Sequence, residues 1–277
     1  MKVVASIKET NRILETYDLK TKQSLGQNFI IDSAIIKKIV KAANITKQTV
    51  VIEIGPGIGA LTQFLCNASK KVIAFEIDQR LQPALEETLS GYDNIELIFQ
   101  DFLSVDVKQI IKDIDQEIIV VSNLPYYITT SIIEKVIATT KISKMIMMVQ
   151  KEVAEKLTKP STVKEISPLH IAMDSLGRVT YLFTVSRNVF SPKPKVDSAI
   201  IEYKQLKTDI DYQKFIDFLA ICFKQRRKTL YNNLKKEYPT KDITQILQQE
   251  NIDSTIRSEL LPKEKFINLY HHIIVKG

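Results

Sequence analysis

The stretch Val50-Val51-Ile52-Glu53-Ile54-Gly55-Pro56-Gly57-Ile58-Gly59 decides the fold. A run that is almost wholly β-branched leads without a break into three glycines at alternate positions. The run predicts a strand buried on both faces, the kind found inside parallel sheets. The glycines mark backbone that turns tightly and comes close to something a Cβ would obstruct. In open α/β sheets ligands lie beyond the carboxyl ends of the strands and face the N-terminus of the next helix, so a ligand is expected here.

Outward from this turn, strands and helices alternate. Towards the C-terminus the pattern predicts a helix over 60–67, a strand over 72–76, a helix over 81–89 and strands over 95–99, 118–122 and 144–149, with a helix around 131–139. Towards the N-terminus, Ser6-x-x-Glu9 reads as a capping box opening a short helix, a loop covers 20–28, and Ile35, Ile36, Ile39 and Val40 form one stripe of a helix over 33–43. Such alternation predicts an α/β fold with a doubly wound, mostly parallel sheet. After Lys151 come a helix, a loop near 160–168, and strand-like segments over 179–185 and 198–203 that could finish the sheet. Beyond Lys207, Phe215, Phe218, Leu219, Cys222 and Phe223 fit a helical face. Two domains are expected: residues 1–206 carrying the sheet, and a small helical domain over 207–277.

Composition excludes several classes. With 44% hydrophobic and 26% charged residues the 277-residue chain is of the soluble globular type. No apolar run reaches the ~18 residues of a membrane span, and the early Lys2 and Lys8 do not suit a secretory signal, so a cytoplasmic location is expected. Cys66 and Cys222 lie far apart, and His170, His271 and His272 have no ligand-like spacing to them. Neither a disulfide nor a metal is expected. Charge is uneven: residues 1–140 hold 15 basic and 17 acidic side chains, whereas residues 141–277 hold 24 and 15. A basic second half suggests a polyanionic partner.

Gly55-x-Gly57-x-x-Ala60, with Glu76 ending the next strand, fits a dinucleotide and S-adenosylmethionine equally, because both present a ribose whose hydroxyls a carboxylate accepts. The loop Ser122-Asn123-Leu124-Pro125-Tyr126-Tyr127 separates hydride from methyl transfer. The lone pair of an exocyclic adenine amine is delocalised into its ring, so an enzyme must aim it. The Asn123 amide oxygen and the Leu124 carbonyl suit that task by accepting both N–H groups. Pro125 holds Leu124 extended, and Tyr126 offers a face for the base.

At these residues the chain resembles the ribosomal RNA adenine dimethyltransferases, and most nearly their bacterial small-subunit branch. The resemblance spans almost the whole length. It is carried by Lys22-x-Ser-Leu-Gly-Gln-Asn-Phe29, Glu53-Ile-Gly-Pro-Gly-Ile-Gly-Ala-Leu-Thr62, Asn123-Leu-Pro-Tyr126, Gln150-Lys-Glu-Val-Ala154, Phe190-x-Pro-x-Pro-Lys-Val-Asp-Ser198 and Arg226-Arg-Lys-Thr-Leu-x-Asn-Asn-Leu234. It implies S-adenosylmethionine bound by Asn28, Ile30, Gly55, Gly57, Glu76, Asp101 and Asn123, with Asp101 at the cofactor adenine. It implies a target adenine held between Tyr126 and Phe190. Lys193 and Lys195 become candidate RNA contacts, as do Arg226, Arg227 and Lys228 on a helix of the small domain. The implied partner is ribosomal RNA of the assembling small subunit, met by a monomer. The chain departs from the family at Glu165-Ile-Ser-Pro-Leu-His-Ile171, where a Tyr-Gly step is usual, and at Gln100, where a glycine usually precedes the acid. A large-subunit enzyme with the same sheet is the nearest rival; an RNA-binding assembly factor without activity and a nicotinamide dehydrogenase are the others.

Overall fold

Local chemistry starts the N-terminal helices where expected. Ser6 Oγ accepts the Glu9 N–H at 3.3 Å and opens α1 (Ile7–Thr16). After the short strand β1 (Phe29–Ile30), Asp32 accepts the N–H groups of Ala34 and Ile35 and opens α2 (Ser33–Ala43), which Asn44 closes in the left-handed conformation. The computed structural model describes residues 2–22, 26–159 and 166–275. Ser24 and Leu25 of the first motif, and positions 160–165 of the expected loop with Glu165 of the divergent segment, lie outside the described residues.

The alternation then unfolds as β2 (Val50–Ile54), α3 (Ala60–Ala68), β3 (Lys71–Phe75), α4 (Gln82–Leu89), β4 (Ile95–Ile98), a single turn α5 (Val107–Ile110), β5 (Ile118–Asn123), α6 (Thr129–Ile137) and β6 (Ile142–Gln150). Next come α7 (Lys151–Thr158), α8 (Pro168–Leu176), β7 (Gly177–Val185), β8 (Phe190–Ser191) and β9 (Ser198–Gln205). Four α-helices follow among the described residues: α9 (Tyr212–Cys222), α10 (Leu230–Leu234), α11 (Thr240–Gln249) and α12 (Lys263–Tyr270).

Among the described residues seven strands form one sheet in the order β4-β3-β2-β5-β6-β9-β7. β2 pairs in parallel with β3 and β5, β3 with β4, and β5 with β6, while β9 runs antiparallel to β6. Every residue of β2 is buried, as helices on both faces require of a central parallel strand. The fold is the α/β, mostly parallel type that the alternation predicts. One buried cation belongs to this packing: Lys144 on β6 donates to the Ala43 carbonyl at 2.5 Å, satisfying the C-terminus of α2.

The chain divides into two compact units, one of residues 1–154 and 180–204, the other of 155–179 and 205–277. The expected boundary near 206 thus needs a correction, because residues 155–179 cluster with the C-terminal helices. Their α8 packs on α9 and α12. In the second unit Phe215, Phe218, Phe266 and Tyr270 are fully or almost fully buried, with Phe215 and Tyr270 edge to face at 5.2 Å.

Candidate active site

At the carboxyl ends of β2, β3, β4 and β5 the first unit holds a cavity of about 900 Å³, counting the space open at its mouth. Asn28, Ile30, Gly55, Gly57, Glu76, Asp101 and Asn123 all line it, together with Pro125 and Tyr127. Topology explains the convergence. β2 and β5 part company here to serve opposite halves of the sheet, and the crevice between their diverging connections is where α/β sheets take ligands.

The glycine turn shapes the floor. Gly57 has φ 62°, a conformation that side chains rarely adopt, and a Cβ there would meet the Phe29 ring at 3.1 Å, tight enough that the ring would have to give way. Apart from its two chain neighbours, no described residue has an atom within 4 Å of where a side chain on Gly55 would begin, which leaves its backbone open to the cavity. Glu76 is only 5% exposed. Its two oxygens accept the N–H groups of Gly57 (3.1 Å) and Asp78 (2.9 Å), which fix the carboxylate and still leave a lone pair on each oxygen. Burial pushes its pKa up, and those N–H groups oppose the shift. Asp78 beside it is held down to about 2 by the Arg80 guanidinium, with Gln27 assisting at 2.8 Å. Through Gln27 the segment ahead of β1 is tied to the end of β3.

Beneath the turn lies Glu53, 1% exposed, whose Oε2 has no hydrogen-bond partner among the described residues. Burial pushes its pKa up to about 8; Thr62 opposes this and Glu76 adds to it. A buried carboxyl with an orphaned oxygen in the wall of a cavity fits a ligand that brings donors or positive charge. The ammonium and ribose hydroxyls of S-adenosylmethionine answer both requirements, so the residues present fit that group. On the β4 side, Asp101 accepts the Leu103 N–H at 2.9 Å. Lys135 of α6 donates to the Leu103 and Val105 carbonyls at 2.7 and 2.5 Å, so α6 clips the loop that carries Asp101.

The loop after β5 is built to present acceptors. Asn123 donates its amide N–H to the Asn28 carbonyl at 3.3 Å, which turns Oδ1 away from that contact. The Leu124 N–H goes to the Met148 carbonyl at 3.2 Å, whereas no described residue donates to the Leu124 carbonyl. The Pro125 carbonyl accepts the Ile128 N–H and the Thr129 hydroxyl, which tightens the turn into α6. Tyr126 is half-buried and its phenol meets Ser198 Oγ on β9 at 2.8 Å. Burial raises the phenol pKa, and Ser198 opposes the shift.

Phe190 is 4% exposed and sits opposite Ile30 in the β1–β8 pair, packed into the core cluster. Lys193 and Lys195 are exposed on the connection that leads into β9 and Ser198. Arg226, Arg227 and Lys228 are exposed in the second unit, but in the turn after α9 rather than on a helix, which corrects the expectation. Arg226 there donates to the Ile166 carbonyl at 2.7 Å. Gln100 is an exposed part of the cavity lining. Sequence reasoning passes over Glu53, Gln27, Lys135 and Tyr127 as functional residues. Glu53 and Gln27 lie inside the family motifs and Tyr127 adjoins one; Lys135 carries no sequence signal, since the two backbone carbonyls and the Phe102 ring that it meets are brought to it by the fold.

Residues 18–274 match the family described as Ribosomal RNA adenine dimethylase. The chain is 42% identical over 289 residues to the ribosomal RNA small subunit methyltransferase A of Geobacillus sp. strain WCH70, covering 99% of both chains. Among solved structures it is similar to a dimethyladenosine transferase from Plasmodium falciparum (TM-score 0.72, 27% identity, 87% of this chain and 95% of that one). It is also similar to the 23S rRNA methyltransferase ErmE (TM-score 0.65, 27% identity, 89% and 99%).

Proposed function

The chain belongs to the ribosomal RNA adenine dimethylase family, and from that membership and the geometry of its cavity we propose how its residues divide the work. It is an S-adenosylmethionine-dependent adenine dimethyltransferase acting on small-subunit ribosomal RNA. Full-length identity of 42% to a small-subunit enzyme, against 27% to a large-subunit one, decides between the two branches. When bound, S-adenosylmethionine supplies a methyl carbon on a sulfonium, which passes to the amine nitrogen while the C–S electron pair stays on sulfur.

This chain's residues bind, aim and exclude. Glu76 accepts the ribose hydroxyls, Asp101 the adenine amine of the cofactor, and the open backbone at Gly55 and Gly57 lets the rest approach closely. Glu53 faces the charged end. Asn123 Oδ1 and the Leu124 carbonyl each accept one N–H of the target amine. That draws the nitrogen lone pair out of conjugation and towards the methyl group without a strong base. After transfer the nitrogen carries an extra proton, which leaves to solvent. Tyr126 stacks on the base, and Phe190 reaches its far face only after leaving its packed position. The observation that carries this division is a pair of unengaged acceptors on consecutive residues, Asn123 Oδ1 and the Leu124 carbonyl, the first on a residue that lines the cavity gathering all seven cofactor candidates.

Finer points belong to the same proposal: a cytoplasmic monomer without a metal, recognising RNA in an assembling subunit through Lys193, Lys195 and Arg226–Lys228. The experiment is to incubate purified, unmodified small and large subunits with the chain and labelled cofactor, to map modified adenines in both, and to titrate the chain with S-adenosylmethionine and with a nicotinamide dinucleotide. Label in N6-methylated adenines of the small-subunit RNA is expected. Tighter binding of a nicotinamide dinucleotide than of S-adenosylmethionine, or label confined to large-subunit RNA, would overturn it.

A further inference from the structure

Two consecutive tyrosines leave the loop after β5 on opposite sides. Tyr126 reaches Ser198 on β9, whereas Tyr127 borders the cofactor cavity with Glu76, Ile77 and Asp101. In the sheet, β9 lies to one side of β5, and β3 and β4 lie to the other. One tyrosine thus faces the half that receives the base, and its neighbour faces the half that holds the cofactor. Tyr127 is 56% exposed, and its phenol makes no hydrogen bond among the described residues. Ile77, 51% exposed, borders the same cavity, so two large apolar side chains stand in water at one mouth. Neither contributes to the core. Burial, then the Asp101 and Glu76 carboxylates, push the Tyr127 phenol pKa up, as expected for a ring near both acids.

Dimethylation makes a demand on this mouth. Each transfer forms one N–C bond, breaks one C–S bond, leaves a neutral thioether in the cavity and releases one proton from the amine. A second transfer to the same nitrogen requires that the thioether leave and a new sulfonium enter. We propose that Tyr127 covers the nucleoside end of the bound cofactor and so sets how fast spent product is exchanged between the two methylations of one adenine. The inference rests on the functional reading above. An aromatic ring laid on a flat nucleoside retains product and donor alike, so it slows exchange as it tightens binding.

The test uses the full chain and S-adenosylhomocysteine as probe. Tyr127→Ala is expected to bind product and S-adenosylmethionine about tenfold more weakly and to release product correspondingly faster in stopped-flow. Tyr127→Phe, which keeps the ring, is expected to match wild type. At saturating cofactor the transient pool of monomethyladenine on small subunits should shrink in Tyr127→Ala. Unchanged melting temperatures verify folding, which the exposure of the side chain favours. Tyr127→Ala that binds and releases product as wild type does would overturn the inference, as would Tyr127→Phe failing as badly as Tyr127→Ala. Wild type that binds neither probe would overturn the functional reading and the inference with it; wild type that binds and methylates leaves the variants to decide.

Discussion

At the scale of single residues, the site runs on carboxylates kept in unusual surroundings. Glu76 spends one lone pair per oxygen on backbone N–H groups, so its remaining acceptors are fixed in direction before a ligand arrives. Charge-assisted bonds contribute about 1.5–3 kcal/mol each, so Glu76→Gln should weaken S-adenosylmethionine binding roughly 10- to 150-fold by calorimetry. Asn123→Ala removes an acceptor for the amine and should lower turnover by ~10²–10³. Cofactor affinity measured alongside separates that effect from damage to the Asn28 contact. Glu53 makes a prediction about pH. Its folded pKa of about 8 exceeds the ordinary 4.5, so between those values the folded chain binds more protons than the unfolded one. Stability should therefore fall as pH rises through that window. Glu53→Gln, neutral throughout, should flatten this part of the melting-temperature profile; an unaltered slope would mean that Glu53 is not its source. Both acids stand on or at the end of strands that the sequence predicts, yet only Glu76 is legible there as functional. A strand position gives no hint that an acid near its end will be left without a partner.

Among elements, the parallel half is readable because each piece signals locally: β-branched runs, glycines at the turn, and caps at Ser6 and Asp32. The stop of α9 is not. Nothing in 223–228 is a glycine or proline, and the pattern reads as helix. What ends it is distant: the Asn233 amide and the Ser258 hydroxyl both donate to the Cys222 carbonyl, at 2.7 and 2.5 Å, and Asn233 Oδ1 accepts the Gln225 N–H. Tertiary capping of this kind leaves no trace in a window of sequence. Helix α6 is a second case, since its Lys135 is tied to the Asp101 loop by two backbone carbonyls and lies over the Phe102 ring, 5.4 Å from its centre. Burial lowers the Lys135 pKa, and Asp101 and Asp106 oppose the shift. Lys135→Met strands two carbonyls, at a cost of about 1–3 kcal/mol each where water cannot replace the ammonium. The expected results are a lower melting temperature, faster amide exchange over 101–106, and weaker cofactor binding, with Lys135→Arg recovering part of each. Normal exchange in that loop would rule out the clip.

For the whole molecule the question is how one adenine is chosen in a ribosome-sized RNA. On the functional reading proposed above the loop after β5 takes up a single base, and phosphate contacts must supply register. The basic excess of residues 141–277 offers such contacts. Since Arg226 also holds the Ile166 carbonyl, the cleaner probe is Arg227→Glu with Lys228→Glu. Cofactor affinity should be preserved while RNA binding weakens, and its salt dependence should flatten by about 0.7–0.9 for every phosphate that is no longer neutralised. Identical binding isotherms across a salt series would dismiss this surface as the docking face. The place of β9 between β6 and β7 has a further consequence, for the order in which the chain acquires its parts. A nascent chain emerges N-terminus first, so all strands of the β4-β3-β2-β5 quartet are outside the ribosome once Asn123 has passed. Ser198, which Tyr126 needs, follows Tyr126 by 72 positions. The newborn protein therefore completes the strands that end at the cavity while the strand to which Tyr126 bonds is still being translated.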